Sequence, residues 1–260
     1  MMNFKFGRPS LMAISNPAAL SAGLAARPRQ SGKISGNVTM IWISGMLTQH
    51  GPGGYDDIAS QLRRALADDS DAIILQIDSS GGEFSGSLEL AEAIYSARRV
   101  KPVIAQVNPE AGSAAFLLAC AASEIYAIPS GEVGGLGIVA VHADQSEAMK
   151  KAGVKVTLIS AGKYKVEGNP WQQLDPEARA FLQSRIDDAY SMMVTAIAKY
   201  RGQSPAQVRE KFGKGRMLGA HAAKKAGMID SVMTTQGLQR RLKANTSRSA
   251  ALCRMVLETL

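Results

Sequence analysis

Asp71-Ala72-Ile73-Ile74-Leu75-Gln76-Ile77-Asp78-Ser79-Ser80-Gly81-Gly82 is the stretch that decides the fold class. From Ala72 to Asp78 it is almost continuously apolar, the pattern of a strand covered on both faces. Ser79-Ser80-Gly81-Gly82 reads as the turn that ends it, and a helix is predicted from about Ser85 to Arg98. Upstream, Val38–Ser44 reads as a strand. Tyr55–Ala67 reads as a helix, with Ile58, Leu62, Ala65 and Leu66 on one face. Downstream the cycle recurs as a strand over Pro102–Val107, a turn over Pro109–Gly112 and a buried helix over Ser113–Ala122. Further strands are predicted over Ile125–Ile128, Leu136–Val141 and Lys155–Ser160, with a helix over Asp144–Ala152. Pro176–Tyr200 is a long amphipathic helix, with Asp175 placed as its N-cap and Gly202 just past its end. Residues 205–232 hold two shorter helices. Strands alternating with helices predict an α/β fold with parallel strands joined by crossovers.

In such a fold the loops after strand C-termini gather on one edge. Three of them stand out: 79–82, 109–113 and 161–170. The second places Ser113 among small residues at the start of an apolar helix. The third places Lys163 and Lys165 between Gly162 and Pro170. A serine hydroxyl needs a base to take its proton as it attacks. Lysine serves only when neutral, and its reference pKa of about 10.4 falls when the amine is desolvated. Tyr164 and Val166 can supply apolar surroundings, and Glu167 has to point away. At a helix N-terminus the free amides favour developing negative charge. The Ala114 N–H is therefore a candidate oxyanion donor, with Gly81 or Gly82 as the second. Taken singly, each feature has a plainer role: Ser113 as an N-cap, Gly81-Gly82 as a tight turn, the lysines as solvated surface groups.

The 260 residues, 46% of them hydrophobic, suffice for one sizeable core or two small ones. Cys120 and Cys253 sit in apolar, helix-like surroundings and read as reduced core thiols. His50, His142 and His221 are far apart in sequence, and no Cys/His cluster has metal spacing. Neither the P-loop nor the dinucleotide glycine pattern is present, so no metal or cofactor is expected. His142 and Asp144, two apart on an expected strand, share one face and read as structural; Trp171 beside Pro170 reads as loop packing. The net charge of +8 lies in the ends: residues 1–33 hold five Lys/Arg and no acid, and residues 236–260 hold five Lys/Arg and Glu258. The body is close to neutral, which argues against a nucleic-acid-binding core. Lys5 and Arg8 precede an apolar run from Leu11 to Ala26 that Asn16-Pro17 interrupts. It is weak as a signal peptide and too broken for a membrane span. A soluble chain is expected.

The segments Asp78-Ser79-Ser80-Gly81-Gly82, Ala111-Gly112-Ser113-Ala114-Ala115, Pro129-Ser130 leading to Gly134-Gly135-Leu136-Gly137-Ile138-Val139, and Gly162-Lys163-Tyr164-Lys165 occur in that order. Together they resemble the signal peptide peptidase A family of serine peptidases, over roughly residues 38–232. His142-Ala143-Asp144, Lys155–Ile159 and Val166–Pro170 look more like its tailed-phage branch, the capsid-maturation (prohead) proteases of the minor capsid protein C type. The resemblance implies a Clp-protease/crotonase-like superhelix of repeated β-β-α units. It implies Ser113 as nucleophile and Lys165, the end of the Gly-x-x-Lys pattern, as base. It also implies a backbone oxyanion hole from Gly81, Gly82 and Ala114, and substrate contacts near Gly135, Leu136 and Gly137. Members assemble as homo-oligomers in which serine and lysine can come from neighbouring subunits.

Three positions depart from the family pattern. Ser80 replaces a proline, Ala114-Ala115 replaces Gly-Gly in many relatives, and Gly135 stands where cellular members carry a serine that hydrogen-bonds the lysine. The expected organisation is a basic arm over residues 1–36, a peptidase domain over 37–235 and a basic tail over 236–260. The implied function is an endopeptidase that processes scaffold or capsid proteins within an assembling procapsid in the host cytoplasm. The alternatives are a cellular signal-peptide peptidase, for which an anchor is expected, and a weakly active or inactive capsid assembly protein of the same fold.

Overall fold

Β-strand and helix positions follow the apolar runs, and the departures from expectation fall where the site is built. The computed structural model describes residues 11–14, 32–34, 37–242 and 244. The strands are β1 (Met12–Ile14), β2 (Gly32–Ile34), β3 (Val38–Leu47), β4 (Ala72–Glu83), β5 (Val103–Gly112), β6 (Glu124–Ala127), β7 (Glu132–Gly134), β8 (Met217–Gly219) and β9 (Ser231–Val232). Among the described residues these nine form one sheet, in the order β2-β3-β4-β5-β6-β9, with β1 added to β4, β7 to β5 and β8 to β7. From β3 to β9 the main path is parallel. The helices are α1 (Tyr55–Ala67), α2 (Ser87–Ala97), α3 (Ala114–Cys120), α4 (Ser146–Lys151), α5 (Pro176–Arg201), α6 (Pro205–Lys211) and α7 (Ala220–Lys225).

The core is an α/β core. Ile73, Leu75 and Ile77 of β4 are fully buried, as are all seven residues of α3. Helix α3 packs on β4 and β5 from below and against α2 and α5 at its sides. Phe116 meets Phe212 edge-on at 6.3 Å between centroids, an arrangement that suits the ring quadrupoles. Burial pushes the Cys120 thiol up to about 12, which keeps it an inert core group; Cys253 lies outside the described residues. Helix α1 buries Tyr55, Ile58, Leu62 and Ala65 at helical spacing. Helix α5 is capped by Asp175, whose carboxylate accepts from the Ala178 N–H at 2.8 Å, and it ends at Gly202 with φ of 62°. A further helix over 235–242 lays Leu238, 1% exposed, against Ile104 and Tyr126.

A half-buried lysine ties the edge of this core together. Lys101 Nζ donates to Ala65 O at 2.8 Å, to Asp68 O at 2.6 Å and to Asp68 Oδ1 at 3.1 Å. Asp68 also accepts from Thr39 Oγ1 at 2.7 Å and from the Ser70 N–H at 2.8 Å. Partial burial opposes the ionised form, but the hydrogen bonds from Ser70, Thr39 and Lys101 prevail and hold this carboxyl well below the usual range.

Four expectations are corrected. The run 79–82 is not a turn: β4 continues to Glu83, because Gly81 and Gly82 pair with Met46 and Leu47 of β3 and with Ile14 and Ala13 of β1. A Cβ on Gly82 would lie 1.9 Å from Leu47 O, so only glycine lets the two backbones approach. Likewise β5 runs through 109–112, because Glu110, Ala111 and Gly112 pair with β7. Residues 136–141 contribute one bridge, Val139 with Met12, instead of a full strand. Residues 153–160 form no strand at all. Their alternating pattern has no partner edge among the described residues, and Val154, Val156, Leu158 and Ile159 are exposed.

These corrections describe a fork. Strands β4 and β5 run side by side up to Ser79 and Ala111. Beyond that point β1 lies on the end of β4 in place of β5, while Glu110–Gly112 of β5 pair with β7 on its opposite edge.

Candidate active site

Ser113 follows directly on β5 at the inner side of this fork and precedes the first residue of α3. Its backbone is at φ 47° and ψ −109°, a region that a non-glycine residue enters at a cost of about 1–3 kcal/mol. Neighbouring backbone holds it there. The Ser113 N–H donates to Gly134 O at 2.6 Å, and its carbonyl accepts from the Leu117 N–H at 2.9 Å, the first turn of α3. Ser113 occupies the N-cap position, yet its hydroxyl caps no helix amide. Oγ donates instead to Gly137 O at 3.3 Å, and the residue is fully buried. The plainer role, a capping hydroxyl, is therefore not what this side chain performs.

Gly81 and Ala114 come together beside it. A Cβ on Gly81 would stand 2.8 Å from Gly112 O and 3.0 Å from Ala114 N, and its φ is +98°. Both facts demand glycine. The Gly81 N–H donates to Ser79 Oγ at 3.1 Å, and Ser79 Oγ donates in turn to Gly45 O at 2.5 Å. Ser79 is thus a positioning residue that sequence reading missed, because a buried serine in a strand looks like any turn serine. Gly82 faces the Leu47 backbone. The Ala114 amide belongs to the first turn of α3, where N–H groups lack intrahelical acceptors.

Of the candidates at 135–137, Gly137 is the one that touches Ser113. Gly137 O takes the Ser113 hydroxyl, Leu136 is 3% exposed, and the Gly135 N–H donates to Arg216 O at 3.0 Å. Gly134, which receives the Ser113 amide, carries φ of 130°; sequence gave no reason to separate it from Gly135.

Lys165 is not brought to Ser113 within this protomer. It is exposed on the 162–170 loop, its N–H donating to Gly162 O at 3.1 Å. Among the described residues no hydrogen bond links it to Ser113. Lys163 has a different fate. Its amine donates to Tyr164 Oη at 2.8 Å and to Glu177 Oε1 at 3.1 Å. These bonds to Tyr164 and Glu177 raise its pKa, so it stays charged and is a poor base. His142 and Asp144 also face away from a catalytic role. His142 Nε2 meets Asn169 O at 2.9 Å, and Asp144 accepts from the Ser146 N–H at 2.8 Å. The Trp171 N–H donates to Asn169 Oδ1 at 2.9 Å inside the same loop.

The model of peptidase family S49 matches residues 96–248. The chain is 39% identical over 163 residues to the head-tail preconnector protein GP5 of Enterobacteria phage P21, covering 62% of this chain and 32% of that protein. It is 32% identical over 219 residues to capsid assembly protease C of Escherichia phage lambda, covering 80% of this chain and 49% of that one. Protease 4 of Salmonella typhi is 28% identical over 203 residues, 76% of this chain and 32% of that protein. The chain therefore spans a third to a half of the length of these relatives. No helix among the described residues is long and apolar enough to cross a membrane.

Proposed function

This chain belongs to peptidase family S49, and we propose that it is a serine endopeptidase that cuts scaffold or capsid proteins during phage head maturation in the host cytoplasm. Its α/β sheet with the branching strand ends is read as the Clp/crotonase superhelix. Residues 37–235 form the peptidase domain under this reading, with basic segments at either end. One observation carries the proposal. Ser113 is held in a strained backbone conformation by Gly134 and α3, its hydroxyl caps nothing, and the Ala114 amide and Gly81 stand together beside it. Strain of that kind persists where surrounding structure enforces it, and active sites are where it concentrates.

In the reaction, Ser113 Oγ bonds to the substrate carbonyl carbon as its proton passes to the neutral Lys165 amine. The oxyanion that forms faces the Ala114 N–H at the positive end of α3. The ammonium then returns the proton to the leaving amine, and water releases the acyl group by the same route reversed. Because Lys165 is exposed in the protomer and 153–160 is an unpaired, partly apolar segment, the lysine is read as supplied by a neighbouring copy in a homo-oligomer. Docking of 153–160 would carry the 162–170 loop to the fork and dehydrate the amine.

Substituting Ser113→Ala tests the nucleophile. Peptide hydrolysis and labelling by a serine-directed phosphonate are both expected to vanish, with the fold retained. Hydrolysis at the wild-type rate would remove the assignment. A second reading, an inactive assembly protein of the same fold, draws on Gly135, which stands where cellular members carry the lysine-orienting serine. Stoichiometric phosphonate labelling of Ser113 in the native oligomer excludes it.

A further inference from the structure

A strand from the N-terminal part of the chain lies close to Ser113. Strand β1 lies antiparallel to the end of β4, with Met12 opposite Glu83, Ala13 opposite Gly82 and Ile14 opposite Gly81. Leu11 O accepts from the Phe84 N–H at 3.1 Å. On the other side Met12 and Val139 exchange both backbone hydrogen bonds at 2.9 Å. The segment thus sits between two rails, Gly81–Phe84 and Val139, and Val139 is two residues from the Gly137 carbonyl that holds the Ser113 hydroxyl. Ala13 is completely buried. Its carbonyl oxygen lies 2.3 Å from the point a Gly81 Cβ would occupy, and Ala114 N lies 3.0 Å from that same point. The Ala13 carbonyl is therefore a near neighbour of the amide assigned above to the substrate oxyanion.

We propose that Leu11–Ile14 is a resident pseudosubstrate, a strand of this chain that occupies the enzyme's own peptide groove and must leave before a protein substrate enters. The inference rests on the peptidase reading above. Its physical basis is that strand addition draws affinity from main-chain hydrogen bonds, which any extended segment can make. A tethered segment competes at an effective concentration on the order of millimolar. If the groove is open about a tenth of the time, the apparent KM for an extended peptide is raised about tenfold while kcat is unaffected.

The test uses the full chain with Met12→Pro, which removes the N–H given to Val139 O, and Ala13→Glu, which carries a carboxylate into an enclosed position. Neither position belongs to the catalytic group. KM for an extended fluorogenic peptide is expected to fall about tenfold with kcat unchanged. In the Ser113→Ala background, hydrogen exchange at the Phe84 and Val139 amides is expected to speed up in both variants. Unchanged exchange would show that the segment is not seated there. Faster exchange with KM unchanged would show that it is seated but bars nothing, and the proposal fails. If neither wild type nor variants hydrolyse peptide in a Ser113-dependent way, the peptidase reading has failed and inhibition falls with it. The exchange measurement distinguishes that outcome, because it reports the seat without needing activity.

Discussion

Replacing Gly81 by alanine probes the centre of the fork directly. The new methyl group would meet Ala13 O at 2.3 Å, Gly112 O at 2.8 Å and Ala114 N at 3.0 Å, all backbone atoms that no rotamer change can move. At φ of +98° the alanine also carries a left-handed backbone, at about 1–3 kcal/mol. Overpacking of this type adds about 1–3 kcal/mol. The summed loss of about 2–6 kcal/mol leaves a domain of ordinary stability folded in most of that range. The shift needed to relieve the contacts moves the Ala114 amide away from the oxyanion position. Loss of one such donor lowers kcat by about 100- to 1,000-fold. Urea unfolding and peptide hydrolysis on the same preparation measure the two effects. Gly219→Ala is the control, since a Cβ there meets nothing within 4 Å, and it should stay within about 0.5 kcal/mol. A Gly81→Ala enzyme with normal stability and kcat within threefold of wild type would refute the placement of Gly81 and Ala114 at the reacting carbonyl.

Two further predictions concern the base and the clamp at the sheet edge. Ser113→Ala and Lys165→Ala are each expected to be inactive, but co-refolded together they should regain activity, since mixed oligomers pair an intact serine with an intact lysine from another copy; no recovery would place the dyad within one protomer. Asp68→Asn weakens the cluster with Lys101, Thr39 and Ser70 and should lower stability at neutral pH by about 1–3 kcal/mol. Because the folded-state pKa of Asp68 is depressed, its contribution is present above about pH 4 and fades as pH falls through the folded value. The stability gap between wild type and Asp68→Asn should therefore narrow steadily as pH falls below about 4. A gap that stays constant in acid would show that the carboxylate charge plays no part.

The parallel core was legible because its strands are buried on both faces. Ile73, Ile74, Leu75 and Ile77 report that environment by composition alone, as do the apolar face of α1 and the Asp175 cap of α5. Ser113 was legible as the residue after a strand and before an apolar helix. What sequence concealed is the fork. Ser79–Glu83 and Pro109–Gly112 contain the residues that usually end strands, yet they continue them, because close backbone approach needs glycine as much as a turn does. Strand β1 was hidden for a related reason. Its place is set by main-chain partners 67 and more residues away in sequence, and main-chain pairing leaves no composition signature. Residues 153–160 err in the other direction: a strand-like alternation needs a partner, and among the described residues none pairs with it. By residue type alone Lys163 and Lys165 were equivalent; the Gly-x-x-Lys resemblance pointed to Lys165, and in the structure Lys163 is engaged by Tyr164 and Glu177.

That unpaired ribbon has a consequence for timing. A molecule whose reactive amine waits on a neighbour works as a head count of its own kind. Under the proposal that a neighbouring copy lends Lys165, turnover per chain would grow with crowding, and dilute copies newly made by the ribosome would be harmless to bystander proteins. Packed at high local density, the same chains would switch on together, with no messenger other than proximity.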